Sequence, residues 1–300
     1  MNLFKWVGRA LVALSFIFIF YLLREVNWSE IAKHATLSWV VTFAIATALY
    51  IYAIYLLSYN WSAILEKIAD KPLSKDVMYV YLETVVYKYI PGNIFHFAGR
   101  HKLEKTLFIS RKSIIYANSM EILLQLFSAV FLSLLMYLFI DEKLLTPYIN
   151  REYLQIFVSL SLALLFVVLL YFYKKHGLQV KIKNRALFLF KILINYILFL
   201  IISGAILALI LNLFYDVSKI YELLFIIIFI NTAAWLAGYI TPGSPGGIGV
   251  RETIILLPLL SFNLDKDMVL LSVILQRVVM IFSEIVIYLF AKIQLSRSNK

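Results

Sequence analysis

The 300-residue sequence contains no cysteine, and only 15% of its residues are charged. Without cysteine, the chain can form no disulfide, no thiolate metal site and no thiol nucleophile. The four histidines show no metal-ligand spacing, so we expect neither a metal nor a cofactor. The longest polar stretch, residues 66–76, is too short to fold as a soluble domain. These shortages argue against a separate soluble catalytic module, and they make an enzyme the less favoured class of function.

The sequence is rich in long apolar runs. Hydrophobic residues make up 63% of the chain and the mean hydropathy is +0.88, whereas soluble domains are about 45–50% apolar. A run of about 20 apolar residues crosses a bilayer as a helix. We therefore predict an all-α, polytopic membrane bundle of about seven to eight spans, in one integral membrane domain covering residues 1–300. The predicted spans are 7–23, 39–57, 114–140, 154–173, 186–214, 221–240 and 268–291.

The basic residues predict the orientation of these spans. The first span follows Lys5 and Arg9, as in a signal peptide, but no small-residue cleavage site follows it, so we expect an uncleaved helix. With the N-terminus inside, twenty Lys and Arg residues lie in cytoplasmic segments and six in external loops. This bias predicts a cell-membrane protein with both termini in the cytoplasm. The net charge of +11 therefore indicates topology and anionic lipids, and no nucleic-acid partner.

Two apolar stretches, 77–98 and 241–260, are interrupted by proline and glycine. Residues 89–93 read Tyr-Ile-Pro-Gly-Asn, and residues 239–244 read Tyr-Ile-Thr-Pro-Gly-Ser. Paired breaks in the two halves of a membrane protein are typical of re-entrant or broken helices, of an inverted repeat, and of a binding site near the midplane. A chance match is the alternative. Residues 221–260 are open to two arrangements, a re-entrant hairpin or two crossings.

The second break carries the strongest local signal. Residues 242–252 read Pro-Gly-Ser-Pro-Gly-Gly-Ile-Gly-Val-Arg-Glu, which cannot continue a helix but runs directly into the start of a new one. The glycine amides, the positive helix end and the guanidinium of Arg251 would together form a concavity suited to a phosphate. The structural alternative is a tight turn with Arg251 and Glu252 paired to other helices.

Ionisable residues also lie within the apolar segments, where a charge at the helix centre costs roughly 2.5–3.5 kcal/mol. Arg277 and Glu284 are two turns apart on one helix face, Glu121 and Gln125 share another, and Lys88 is a further member of this set. Salt bridges that fix helix packing explain any one of them, and a polar cavity explains the set. The candidate substrate-binding residues are Arg251, Glu252, Gly246, Gly247, Gly249, Pro91, Gly92, Asn93, Arg100, Glu83, Glu121, Arg277 and Glu284, with no catalytic residue among them.

A basic strip follows the first break. Its members are Arg100, Lys102, Lys105, Arg111 and Lys112. Anionic lipid headgroups at the inner leaflet fit this strip, and ordinary topological anchoring fits it equally well.

Two motifs resemble those of a known family. Residues 245–252, Pro-Gly-Gly-Ile-Gly-Val-Arg-Glu, are similar to the hallmark Pro-Gly-Gly-Leu-Gly-Xaa-Arg-Glu of the lysylphosphatidylglycerol synthase transmembrane, or flippase-like, family. Residues 89–93 with the later Gly99-Arg100 resemble its Tyr-Xaa-Pro-Gly-Lys motif and downstream Gly-Arg, although Asn93 departs from the usual lysine. The resemblance follows the span order along the chain. It implies a membrane module like that of the multiple peptide resistance factor, without the soluble aminoacyl-transferase domain.

The resemblance implies a flippase-like protein that translocates or handles a phosphate-containing lipid between leaflets. That lipid would be an aminoacyl-phospholipid or a polyprenyl-phosphate-linked lipid. Membrane lipids are the expected partners, with a lipid- or glycan-biosynthetic enzyme and a second copy of the chain as further candidates. The sequence has no nucleotide-binding loop, so ion gradients or downhill flow would supply the energy. Two alternatives stay open: an intramembrane transferase with Glu252 or Glu121 as general base, and a scaffold for a biosynthetic partner.

Overall fold

The structure is a computed structural model, which describes residue 24 and residues 37–90, 94–140, 185–241 and 245–298. Every regular element in these ranges is helical, which confirms the all-α prediction. Four of the helices are long and apolar enough to cross a membrane, as expected of a membrane protein. The predicted spans 7–23 and 154–173 lie outside the described residues, so the count of seven to eight spans stays a prediction.

The helices vary widely in length. The α-helices are α1 (Leu37–Ala69), α2 (Asp76–Thr84), α3 (Phe95–Gly99), α4 (Leu103–Thr106), α5 (Arg111–Phe139), α6 (Arg185–Leu211), α7 (Val217–Glu222), α8 (Leu224–Ile240), α9 (Val250–Leu260) and α10 (Lys266–Ser298). Short 3-10 helices cover Val85–Tyr89, Arg100–Lys102 and Pro245–Gly247. The four span-length helices are α1, α5, α6 and α10.

Helix α1 is longer than the predicted span, which ends at position 57. It continues to Ala69 because Trp61, Ile64 and Leu65 keep packing into the bundle and are almost fully buried. It ends where Asp70 takes a positive φ of 51°, a backbone conformation that commonly terminates helices. The hydropathy of the sequence marks only the apolar part of this helix.

The predicted span 221–240 begins later than expected. Leu223 lies between α7 and α8 with φ −89° and ψ 0°, so the continuous helix starts at Leu224. Helix α8 has 17 residues, which is about 25 Å at 1.5 Å per residue and slightly less than a hydrocarbon core of about 30 Å. The 11-residue helix α9 follows the second break. It packs alongside α8, so the chain turns back at the break.

Helix α1 packs against four other elements of the bundle, namely α2, α5, α6 and α10. Amide side chains tie these helices together, because polar groups away from water need partners. Asn60 donates to the Ile192 carbonyl at 2.9 Å and accepts from Asn195 at 2.8 Å, which joins α1 to α6. Gln276 on α10 donates to Asn231 on α8 at 3.0 Å. The bundle interior is therefore both apolar and internally hydrogen-bonded.

The two interrupted segments meet inside the bundle. The 3-10 helix of the first break contacts the 3-10 helix of the second. Gly246 has a positive φ of 60°, and a Cβ at this position would lie 2.7 Å from the Tyr89 ring. A larger residue at 246 would therefore strain the backbone and push against the first break. The contact puts the two breaks beside each other, while the inverted repeat stays a prediction.

Candidate functional site

A cavity of about 80 Å³ lies where the two breaks and the long helices converge. This volume holds several water molecules or a small anion, since one water needs roughly 10–15 Å³ of such space. The ionisable residues on its wall, apart from tyrosines, are Lys88, His96, Arg100, Glu121, Arg251 and Glu284. Its aromatic residues are Tyr50, Tyr81, Phe97, Phe199, Trp235 and Tyr239. The predicted polar interior is thus present in the described part of the chain.

Arg100 forms a closed ion pair with Glu121 on α5. Both side chains are buried, and Nη1 of Arg100 also donates to Oδ1 of Asn118 at 2.9 Å. Tyr81 donates its hydroxyl to Glu121 at 2.7 Å, and Gln125 reaches the same carboxylate at 3.4 Å, as its shared helix face predicted. The positive charge of Arg100 is therefore neutralised within the protein, and the carboxylate is hydrogen-bonded on both oxygens.

Aromatic rings enclose the same guanidinium. The Arg100 Cζ lies 4.1 Å from the Tyr81 ring centroid, 4.7 Å from that of Trp61 and 5.1 Å from that of Phe97. Cation–π contacts of this kind are worth up to about 2 kcal/mol when desolvated. Ion pair and rings together fix Arg100 in place, so this residue acts mainly as a structural centre that joins the first break to α1 and α5.

Glu284 on α10 holds the first break from the opposite side. Its Oε1 accepts from Lys88 Nζ at 2.6 Å and from the Tyr50 hydroxyl at 3.1 Å. The carboxylate is fully buried, and its second oxygen, Oε2, has no hydrogen-bond partner within the described residues. Lys88 is therefore paired, whereas Glu284 keeps one acceptor free at the cavity.

Arg251, at the start of α9, differs from the other cations of the cavity. Within residues 37–90, 94–140, 185–241 and 245–298, no carboxylate lies within ion-pair distance of it. Its Nε has no hydrogen-bond partner there, which is also true of the Arg100 Nε, so the missing ion pair is what sets Arg251 apart. The nearest aromatic contact of its guanidinium is the Trp235 ring, at 5.9 Å from the centroid. The predicted alternative, in which Arg251 is paired to another helix, is not observed in these ranges.

Two glycines form the slot in which the Arg251 side chain lies. A Cβ on Gly238 of α8 would come 2.6 Å from both Cγ and Nε of Arg251. A Cβ on Gly247 would come 2.6 Å from the same Nε. Real Cβ atoms do not approach other heavy atoms this closely, since the interior is packed at van der Waals distances. The slot therefore requires glycine on both sides, with Trp235 one turn earlier on the same face of α8 as Gly238.

Glu252 pairs with Arg277 of α10 and so joins α9 to α10. Its other oxygen accepts from the Gly249 amide at 2.6 Å, while Arg277 donates to the Gly247 carbonyl at 3.2 Å. A carboxylate at a helix N-terminus satisfies otherwise free amides and the helix dipole. The amide of Gly249, one of those expected to bind a phosphate, is thus occupied by the protein's own Glu252.

The predicted site residues fall into four groups. Arg100, Glu121, Gly246, Arg251 and Glu284 line the cavity. Glu252, Gly247, Gly249 and Arg277 form the network beside it. Glu83 is not on the cavity wall and pairs with Lys102. Pro91, Gly92 and Asn93 lie outside the described residues.

Sequence reasoning missed several cavity residues, including Tyr50, Tyr81 and Trp235, and it also missed the slot residue Gly238. Gly238 had a usable signal, because an isolated glycine within an apolar helix indicates a close approach of another group. The tyrosines had none, since the chain holds 20 of them and their positions alone do not separate lining from packing residues.

No family model matches this sequence, and no curated protein matches it either.

Proposed function

We propose that the protein moves a phosphate-bearing lipid between the two leaflets of a membrane, with the phosphate held at Arg251 in the cavity between the two breaks. The observation that carries this proposal is the guanidinium of Arg251, which has no carboxylate partner among the described residues. A charge inside an apolar bundle is costly and is normally paired or in contact with water or ligand. Lys88 has Glu284 and Arg100 has Glu121, so within the part of the chain that the structure describes Arg251 is the cavity cation left for an external anion.

A phosphate suits this position chemically. Arginine presents several N–H donors in a planar fork that matches phosphate oxygens. The neighbouring network of Glu252 and Arg277 is internally neutral, so it does not compete for the ligand. The resemblance of residues 245–252 to the flippase-like family supports the same kind of cargo.

Translocation agrees with the cavity better than an intramembrane transferase does. A general base must be free to accept a proton, whereas Glu121 and Glu252 are each held by an arginine and by further donors. A small polar cavity within four span-length apolar helices instead offers a path for a headgroup. The cavity must widen for a whole headgroup to pass, and the contact of Tyr89 with Gly246 is the point at which the breaks would separate.

The location and topology belong to the same proposal. Twenty basic residues on one side against six on the other favour the cell membrane, with both termini in the cytoplasm. The 11 residues of α9 are about 16 Å long at 1.5 Å per residue, too short for a hydrocarbon core of about 30 Å, which favours a re-entrant hairpin over two crossings.

The test is a lipid-scrambling assay with purified protein in vesicles that contain a labelled anionic phospholipid. We expect the protein to accelerate exchange between leaflets and Arg251→Met to slow this exchange at least about tenfold, the effect of losing 1.4 kcal/mol of binding. Lys191→Met is the matched control, because it also removes one positive charge but lies exposed and away from the cavity. Equal exchange in vesicles with and without protein would overturn the proposal. A chemically altered headgroup would point to the transferase.

A further inference from the structure

The loop that joins α4 to α5 presents an aromatic side chain to the surroundings of the protein. Phe108 is 86% exposed, the highest value among the large apolar side chains of the described residues. Its backbone φ is 51°, a left-handed conformation that is uncommon for residues other than glycine and asparagine. Such backbone persists where the neighbouring structure imposes it, and it is frequent at ligand clamps and switch regions. Phe108 therefore indicates a contact outside the protein.

The residues around Phe108 hold its ring outward. The Leu103 carbonyl accepts from the amide of Leu107 at 3.1 Å and from that of Ile109 at 3.3 Å. Leu103 and Ile109 are buried, so the loop is attached to the bundle on both sides of the ring. Lys71, in the turn after α1, donates to the Leu107 carbonyl at 3.3 Å. The exposure of Phe108 therefore follows from the hydrogen-bonded shape of the loop.

Exposed basic residues accompany the ring. These loop cations are Lys71, Lys105, Arg111 and Lys112. In the ranges that the structure describes, no carboxylate lies within ion-pair distance of any of them. Glu104, the one acidic residue between positions 99 and 112, pairs with His101 instead. The loop therefore carries positive charge that the described part of the protein does not neutralise.

The basic strip of the sequence thus has two parts. Arg100 pairs with Glu121 and Lys102 pairs with Glu83, so these two cations join elements of the protein. The other three members of the strip are loop cations. Topological anchoring and packing account for the paired members, and the loop cations are left for an external anion.

The position of the loop along α5 indicates what the ring contacts. Helix α5 begins at Arg111 and is one of the four span-length helices. Phe108 precedes it by three residues, which is at most about 10 Å of extended chain. Ile115, one turn inside α5, is 45% exposed, as expected of a lipid-facing residue. The headgroup layer adds about 5–8 Å on each side of the hydrocarbon core, so the ring lies at the depth of lipid headgroups.

From these observations we infer that Phe108 and the loop cations form a contact with an anionic lipid leaflet, separate from the cavity. The ring enters the boundary between headgroups and acyl chains, and the cations bind headgroup phosphates. In the proposed topology this is the cytoplasmic leaflet, which carries the anionic lipids. The loop follows α4 and the 3-10 helix of Arg100, so the contact ties the first break to the membrane surface. It does not depend on the proposed function, because the lipids that it binds are not moved.

The absence of cysteine allows a single label at the position of the ring. Phe108→Cys is labelled with bimane, a small apolar fluorophore that takes the place of the ring. The protein is reconstituted in vesicles of phosphatidylcholine, with or without phosphatidylserine, and phosphatidylcholine with brominated acyl chains quenches a label that enters the bilayer. We expect phosphatidylserine to shift the label towards insertion at least about fivefold, the contribution of one basic side chain near an anionic surface. Salt at about 1 M should reverse the shift, since it shortens the Debye length to about 3 Å.

Val217→Cys is the matched control. Val217 is also an exposed apolar residue, 68% exposed at the start of α7. Its neighbours Asp216 and Glu222 outnumber Lys219, so quenching of a label there should not depend on phosphatidylserine. In the protein labelled at 108, a triple variant with glutamine in place of Lys105, Arg111 and Lys112 should lose the dependence on phosphatidylserine.

Phe108→Gly tests whether the ring has a partner within the protein. Glycine adopts the positive φ without strain, so this variant should be at least as stable as wild type when it is titrated from mild detergent into SDS. The same titration checks that each labelled variant is folded. A clear loss of stability in Phe108→Gly would show that the ring packs within the chain, which would overturn the inference.

The quenching results give two further ways to overturn it. A label at 108 that stays unquenched in both kinds of vesicle would leave the loop free for a soluble partner, such as an acidic protein. Quenching that is equal with and without phosphatidylserine would show insertion without recognition of anionic lipid. Neither result bears on lipid exchange through the cavity, so the proposed function would stand or fall separately.

Discussion

Two arginines on the wall of one cavity have opposite surroundings. Arg100 is 2% exposed, paired to Glu121, bonded to Asn118 and enclosed by aromatic rings. Arg251 is partly buried, has no carboxylate partner in the described ranges, and lies in a slot between two glycines. The same side chain therefore serves as a fixed structural centre in one place and as an open cation in the other.

The difference teaches that the role of a charged residue within an apolar bundle depends on whether a residue of opposite charge is paired with it. A compensated charge links helices, and removing it leaves a buried partner alone. An uncompensated charge contributes little to packing and makes sense when an external ligand completes it. The predictions below test this contrast by applying similar substitutions to the two sites.

The largest effect is expected for Arg100→Met. This substitution leaves Glu121 buried without its cation, and breaking a buried pair in this way costs about 3–5 kcal/mol. The free energy of unfolding, measured by titrating the protein from mild detergent into SDS, should fall by that amount. The double variant with Glu121→Gln should recover a large part of the loss. If Arg100→Met alone were as stable as wild type, Arg100 would not be the structural centre that distinguishes it from Arg251.

A smaller loss is expected for Glu252→Gln. The neutral amide frees Arg277 from its carboxylate and weakens the hydrogen bond from the Gly249 amide. Because Arg277 keeps the Gly247 carbonyl as a partner, the free energy of unfolding should fall by about 2 kcal/mol. The same SDS titration measures it, and Glu222→Gln is the control because Glu222 lies exposed on α7. Equal stability of the two variants would mean that the network beside Arg251 does not hold α9 against α10.

The slot around Arg251 is tested by Gly238→Ala. The added methyl would displace the Arg251 side chain, while alanine itself favours a helix by roughly 0.5–1 kcal/mol over glycine. Stability should therefore change little, whereas lipid exchange should fall about tenfold, because a misplaced cation would lose the proposed phosphate contact.

Gly204→Ala is the matched control for the slot. Its methyl would lie 2.9 Å from the Ile228 backbone, where α6 crosses α8, and away from the cavity. It should cost about 1–3 kcal/mol of stability by overpacking and keep the dependence of exchange on anionic lipid. If both variants lose stability and exchange in proportion, Gly238 has only a packing role.

Much of the fold could be predicted because hydropathy and proline act locally. Four long apolar helices and two broken segments follow from residue type alone, since an apolar run must be helical in a membrane and proline with glycine interrupts it. The end of α1 could not be predicted from the sequence, because the burial of Trp61 depends on the helices around it. The split at Leu223 had no proline or glycine to mark it.

The sequence predicted many of the residues that form the candidate site, but not which of them form ion pairs with each other. The sequence identified Glu121 and Glu284 as ionisable residues in apolar segments, Arg251 as part of the second break and Arg100 as part of the basic strip. The cavity brings all four together. It could not tell which arginine is compensated, because Arg100 and Glu121 lie on different helices whose contact is a tertiary property. Glu83 shows the converse, since it pairs with Lys102 and does not line the cavity.

The smallest effect, and one of opposite sign, is expected for Arg251→Met. No carboxylate of the described residues loses a partner, and the substitution removes the cost of holding a cation in an apolar bundle. The free energy of unfolding should stay constant or rise by up to about 1 kcal/mol, while lipid exchange should slow at least about tenfold. The same substitution at position 100 should instead lower the free energy of unfolding by about 3–5 kcal/mol, so the pair forms its own control. A loss of stability at 251 comparable to that at 100 would mean that Arg251 has a structural partner, and its role as the open cation would fail.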